Sequence, residues 1–330
     1  MRVALIGAGR IGRLHAEILA SLDDVDQVIV SDVNEAAARS VAATIGGIAV
    51  ASAKAAMEQA EAVVIAAATD AHASLLRLAM SLRRPTFIEK PLAFDLEQSH
   101  ELVELTDRVG VPVQVGFQRR FDVGYVEARR MVKAGEMGVL YTVRLIAHDA
   151  TPPPEAYIPT SGGLFRDSSI HDFDALRFIT GLEVEDVYAT GSVRGFEMFS
   201  RYGDVDTAAA ILRMTDGTLA TLSQTRHDPR GYDIRMELVG SRDAVSIGLG
   251  RHTPTRPLGQ DALDLEAGWD GFLTRFEPAY RAELTAFLPV ARGEAESPCV
   301  PRDGYEAMRI AYAATRSLQE GRAVKLSEIR

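Results

Sequence analysis

The chain has 330 residues, of which 47% are hydrophobic and 25% charged, and its formal charge is −10. That length exceeds one small core and predicts two domains, while the acidic balance argues against a nucleic-acid binder, whose contact face is basic. Cys299 is the single cysteine, which excludes an intrachain disulfide and a cysteine-rich metal site.

The N-terminus enters a strand pattern at once, without a charged leader and apolar core, so no signal peptide is expected. The longest apolar run, Ala62 to Ala68, is too short to span a bilayer, and a cytoplasmic protein with no membrane partner is predicted. Over the first 120 or so residues, apolar strands are read at Val3–Ile6, Gln27–Ser31, Ala62–Ala67, Thr86–Ile88 and Pro112–Val115. Helical patterns lie between them at about 10–22, 34–45, 70–82 and 95–109. Strands apolar on both faces, alternating with helices, describe a doubly wound parallel sheet.

From about residue 139 the pattern changes to strands at Val139–His148, Val184–Arg194, Thr207–Met214, Leu219–Arg226, Tyr232–Val239 and Ala244–Ile247. Hairpin spacing among several of them predicts a large, mainly antiparallel sheet. Helices are expected at Asp172–Ile179, 276–292 and 303–320. The fold class is thus α/β followed by α+β, with helices on one face of the second sheet. Residues 1–121 form the expected cofactor domain and 122–330 a substrate-binding and oligomerisation domain. Packing of the last helix, about 303–320, back on the first domain is left open.

Three short words carry the chemistry. Gly7-Ala8-Gly9-Arg10-Ile11-Gly12 follows a strand and opens a helix. Gly7 permits the turn, Gly9 lets backbone approach a pyrophosphate, and Gly12 lets helix and strand pack closely. Asp32 ends the second strand, 20 residues after Gly12, where a carboxylate accepts bonds from an adenosine ribose and repels a 2′-phosphate. NAD is therefore favoured over NADP, with Arg39 near enough in sequence to keep NADP open.

Glu89-Lys90-Pro91 follows the end of a buried parallel strand, where ligands of such sheets bind. Beside a cationic nicotinamide, Lys90 would serve as a proton-transfer or hydroxyl-orienting group, and the plainer reading is a surface lysine in a turn. Asp167 and His171 stand four apart, which on a helix places both on one face and lets the carboxylate orient an imidazole base. A helix cap with a packed histidine is one alternative. A metal set of Asp167, His171 and His148 or Asp172 is another, and none is expected because hydride transfer to nicotinamide needs no metal.

With these words in order, the chain resembles the Gfo/Idh/MocA oxidoreductases over nearly its whole length, and most closely their inositol 2-dehydrogenases. Val115-Gly116-Phe117-Gln118-Arg119-Arg120-Phe121-Asp122, the run Ser161 to Asp172, and Gly231-Tyr232-Asp233 carry the closer resemblance. It implies a Rossmann domain binding NAD through Gly7, Gly9, Arg10, Ile11, Gly12, Asp32, Glu89 and Lys90. It further implies Lys90, Asp167 and His171 as the catalytic set, Arg120, Asp149 and Tyr232 as additional polyol contacts, and a homotetramer. Gln118 and the stretch Ala147-His148-Asp149-Ala150-Thr151 depart from the subgroup pattern on the substrate side. The expected reaction is oxidation of a secondary hydroxyl of a cyclic polyol, myo-inositol first. The alternatives are scyllo-inositol, a monosaccharide or related sugar, and a non-catalytic NAD-sensing regulator on the same fold.

Overall fold

Strands that bury both faces need helices on both sides, and the first 121 residues supply them. The chain runs β1 (Arg2–Ile6), α1 (Arg10–Ala20), β2 (Gln27–Ser31), α2 (Glu35–Ile45), β3 (Ile48–Ala49), α3 (Ala53–Gln59), β4 (Ala62–Ile65), α4 (Thr69–Ser81), β5 (Thr86–Glu89), α5 (Leu96–Val109) and β6 (Val113–Gly116). All six strands are parallel, in the order β3-β2-β1-β4-β5-β6. The order reverses beside β1, and the crevice at the carboxyl ends of β1 and β4 is where such sheets bind ligands. Side chains set the helix starts locally: Asn34 accepts from the Ala36 and Ala37 amides, and Asp95 from Gln98. Neither β3 nor α3 is foreseen above, because two and seven residues are too short to show a period.

The computed structural model describes residues 1–253 and 266–329. They divide into two units, one of 1–121 with 278–306 and one of 122–277 with 307–330.

The second unit opens with α6 (Val123–Lys133), capped by the Asp122 carboxylate on the Gly124 amide, and β7 (Leu140–His148). There follow α7 (Ile158–Ser161), a π-helical turn at Phe165–Ser169, α8 (Ile170–Thr180), β8 (Val184–Ser192), β9 (Thr207–Met214), β10 (Leu219–Thr225), β11 (Asp233–Gly240), β12 (Ala244–Ile247) and α9 (Phe272–Arg275). After α10 (Glu277–Ala291) and α11 (Pro301–Glu320), β13 (Val324–Lys325) adds the last strand. The sheet order is β12-β11-β7-β10-β9-β8-β13, antiparallel throughout except for the β7–β10 pair.

Strict alternation divides this sheet into two faces. Ala208, Ala210, Leu212, Met214, Ala220 and Leu222 are buried on one. Tyr188, Ile211, Leu219 and Val239 are exposed on the other. Residues 278–306, which the sequence reading placed with the second half, cluster with the parallel-sheet unit. Among the described residues no helix is long and apolar enough to cross a membrane.

Candidate active site

In the parallel-sheet unit the glycine turn has the geometry its spacing implies. Gly7 adopts φ +108°, and a Cβ there would strike the Ala66 carbonyl at the end of β4. A Cβ on Gly12 would strike the Gly7 carbonyl oxygen, whereas one on Gly9 would meet nothing within 4 Å. The turn is thus closed toward the protein and open at Gly9. Gly9 caps α1 without a side-chain bond, and Arg10 and Ile11 begin the helix. A helix N-terminus without a side-chain cap, over an open backbone, fits a dinucleotide pyrophosphate.

Asp32 is half-buried beside this turn. Its Oδ2 accepts the Ala8 amide at 2.6 Å and its Oδ1 the Asn34 amide at 2.7 Å. Each carboxylate oxygen has a second lone pair, so the group can brace the loop and still accept ribose hydroxyls.

Glu89 closes β5 and is buried, with its Oε1 2.6 Å from Nε2 of the fully buried His15. Lys90 comes next, joined to Pro91 by a cis peptide. His72, also buried, faces two carbonyls, with Nδ1 2.8 Å from Pro91 O and Nε2 3.1 Å from Ala67 O. Burial holds its pKa below the ordinary histidine value despite both carbonyls. A neutral ring donates to one of them and still packs the end of β4 against the Lys90-Pro91 turn. Arg120 follows β6 in a short 3₁₀ turn, where its Nη2 lies 3.1 Å from Asp303 Oδ1 and its Nη1 donates to Pro298 O at 3.0 Å.

In the second unit the polar groups gather at one end of the sheet. His148 pairs in register with both Thr225 and Asp233, so the segments holding Asp149, Arg226 and Tyr232 emerge side by side. Arg226 is buried, with Nη2 2.8 Å from Asp167 Oδ2 and Nη1 3.3 Å from Asp149 Oδ2. Burial works against its charge, but Asp167 and Asp149 outweigh that and its pKa is raised. The Tyr157 hydroxyl donates to Asp167 Oδ1 at 2.8 Å, so both Asp167 oxygens are engaged. Tyr232 is buried and its amide donates to Trp269 O at 2.7 Å.

Asp167 lies in the π-helical turn and His171 is the second residue of α8, which continues directly from it, so the helix that carries both is π-helical at its start. The turn is wider because tertiary bonds hold it. Gln224 Nε2 donates to Ser168 Oγ, and Ser169 Oγ donates to Gln224 Oε1, tying two successive residues to β10. Such turns recur at functional sites.

Each unit therefore assembles part of the predicted set. Gly7, Gly9, Gly12, Asp32, Glu89 and Lys90 share the strand ends of the first, and Asp149 and Asp167 share Arg226 in the second. Sequence reasoning passed over Arg226, Tyr157, His15 and His72, whose partners lie far along the chain and form no local motif. Asp149 and Asp167 were the visible signal, since two acidic site candidates brought together call for a cation.

Residues 1–117 match an oxidoreductase family with an NAD-binding Rossmann fold, and residues 125–246 match the GFO/IDH/MocA C-terminal domain. The chain is 38% identical to a myo-inositol dehydrogenase of Streptomyces leeuwenhoekii, over 97% of this chain and 98% of that protein. It is 36% identical to the myo-inositol 2-dehydrogenase of Thermotoga maritima, over 100% and 99%. The solved scyllo-inositol dehydrogenase of Lactobacillus casei, with bound NAD(H) and scyllo-inositol, is 25% identical with a TM-score of 0.88 over 99% of both chains. The expected family, fold and cofactor class hold, and the chain belongs to the GFO/IDH/MocA family of NAD-binding oxidoreductases.

Proposed function

We propose that the protein is an NAD-dependent inositol 2-dehydrogenase that oxidises a secondary hydroxyl of myo-inositol to the ketone. The observation that carries this reading is likeness to inositol dehydrogenases across 97% or more of the chain, together with the presence of Lys90, Asp167 and His171 in the order that the resemblance implies. NAD, when bound, supplies the hydride acceptor. The turn Gly7–Gly12 would hold its pyrophosphate and Asp32 its ribose, and Glu89 and Lys90 would be further cofactor contacts.

His171 takes the hydroxyl proton, and Lys90 donates a hydrogen bond to the same oxygen and stabilises the developing alkoxide. Asp167, which pairs with Arg226 and accepts from the Tyr157 hydroxyl, orients the imidazole and offsets the charge it gains. Asp149 and Tyr232 bind ring hydroxyls and thereby select which carbon loses its hydrogen. We assign Arg120, with its Asp303 partner, to holding the segment after β6. A homo-oligomer, a tetramer by family resemblance, would form through the sheet face that bears Tyr188, Ile211, Leu219 and Val239, in a cytoplasmic setting.

Purified protein mixed with NAD and a panel of inositols and sugars, followed by absorbance of the reduced nicotinamide, tests this. Reduction with myo-inositol bears it out. Activity confined to scyllo-inositol or a monosaccharide keeps the chemistry and replaces the substrate, an outcome that the likeness to a scyllo-inositol enzyme makes worth including. Cofactor binding without any reduction supports a sensing role instead.

A further inference from the structure

Behind Lys90, three titratable side chains meet in the interior of the parallel-sheet unit. His15 on α1 and Glu283 on α10 are wholly buried, and Glu89 at the end of β5 is 8% exposed. One ligand-type atom from each lies within 4.8 Å of the other two. His15 Nε2 and Glu89 Oε1 pair at 2.6 Å, whereas neither carboxyl oxygen of Glu283 has a hydrogen-bond partner among the described residues.

Among the described residues, burial and the neighbouring Glu89 are what act on the Glu283 carboxyl. The His15 ring packs edge-on against Phe87 and Tyr280, and Gln114 on β6 donates to the backbone oxygen of Glu283, not to its carboxyl. His72 on α4 is the further titratable group electrostatically coupled to Glu89 and Lys90, and it is buried and disfavoured as a cation. With at most one positive charge on His15, two ionised carboxylates at this separation would leave one buried and unpaired. Burial, with Glu89 beside it, holds the Glu283 carboxyl well above the usual carboxylate range.

We propose that Glu283 is a positioning residue for Lys90: a buried acid packed within 4.8 Å of the His15-held Glu89 carboxyl, it limits where the end of β5 can move, and so sets where the next residue projects. The inference rests on the reading of Lys90 as catalytic. Glu283 itself touches neither substrate nor cofactor in this scheme.

The test compares Glu283→Gln and Glu283→Met with the unsubstituted protein. The chain has four lysines, Lys54, Lys90, Lys133 and Lys325, so ¹³C-methyl labelling resolves the Lys90 amine by NMR, assigned by its loss in Lys90→Arg. Glutamine copies a neutral acid, and the Lys90 titration and kcat should stay as they were. Methionine removes the brace while relieving a buried polar group, so the fold and cofactor affinity should persist as the Lys90 resonance moves and kcat falls about tenfold or more.

A lower Lys90 midpoint in Glu283→Gln would show that Glu283 is ionised and would overturn the proposal. So would an unmoved Lys90 resonance with full kcat in a folded Glu283→Met, or a divalent cation found bound to the triad by elemental analysis. If Glu283→Met does not fold, isotope-edited infrared decides: a protonated-carboxyl band that vanishes in Glu283→Gln supports the proposal, and its absence overturns it. Failure of every inositol as substrate refutes the dehydrogenase reading alone, because the Lys90 titration and resonance need no turnover.

Discussion

Arg226 holds Asp167 at 2.8 Å and Asp149 at 3.3 Å, so one buried guanidinium joins the proposed orienting carboxylate to a proposed polyol contact. Removing it leaves two partly buried anions without their shared cation. Truncating one partner of a buried pair typically costs about 3–5 kcal/mol, much of it the penalty on the charge left behind. Arg226→Gln should therefore lower the melting temperature and reduce kcat/KM by about a hundredfold or more. Arg226→Lys should recover part of the activity, because an ammonium supplies the charge without the fork that spans two carboxylates. NADH affinity, measured by fluorescence, should remain within about twofold, since Arg226 and its two carboxylate partners belong to the unit that does not carry the glycine turn. Near-normal turnover in Arg226→Gln would show that Asp167 needs no charge partner to do its work.

Lys90 follows the braced end of β5, and its amine is assigned to the oxygen that loses hydrogen. Lys90→Ala should abolish turnover to at least about a thousandfold below the parent, an upper-range effect for loss of proton-transfer and oxyanion support. Cofactor affinity should change little, because the turn Gly7–Gly12 and Asp32 hold the dinucleotide. Isothermal titration with NADH separates the two effects. Substantial residual turnover would remove Lys90 from the chemistry, and loss of NADH binding would recast it as a cofactor contact alone.

The parallel-sheet half was legible because apolar strands and crossover helices alternate there, and turn glycines punctuate them. Strands β7 to β12 were legible from period-two alternation and hairpin turns. Helix α6 was not: Val123 and Val126 are exposed, so its sequence shows no clean apolar face. The π-helical turn at Asp167 was also invisible, because Gln224 shapes it from a distant strand. The same limit applies to the site. Glycines, Glu89-Lys90-Pro91 and Asp167/His171 announce themselves by spacing, but the partners of Arg226, His15, His72 and Glu283 are set by topology. Those four lie in or beside β10, α1, α4 and α10, and local windows do not connect them to the motifs they support.

Asp32 carries two duties that one substitution can separate. Its oxygens accept the Ala8 and Asn34 amides, and a ribose hydroxyl would use the remaining lone pairs. Asp32→Ser should weaken NADH binding by about ten- to a hundredfold, the range expected for losing hydrogen bonds to a charged acceptor. It should also raise NADPH affinity, because the carboxylate that repels the 2′-phosphate is gone. Parallel fluorescence titrations with the two coenzymes read both numbers. An equal fall for both would mean that Asp32 serves the turn and not the ribose.

His72 gives a pH signature of stability that does not depend on turnover. In the folded protein burial lowers its pKa, while the unfolded chain titrates near the ordinary value of about 6.5. Above that pH both states are neutral and the group adds no slope. As pH falls below it, the unfolded state binds a proton that the folded state refuses, so stability declines until the folded pKa is reached. His72→Gln removes this term but also disturbs the Pro91 and Ala67 contacts, so it should be less stable at pH 8 by about 1–3 kcal/mol. Between pH 7 and pH 5 the two stability curves should converge, because only the parent loses the His72 contribution. Chemical denaturation across that window measures the gap. A constant gap would show that His72 has the same proton affinity folded and unfolded, and that its two carbonyls fully offset its burial.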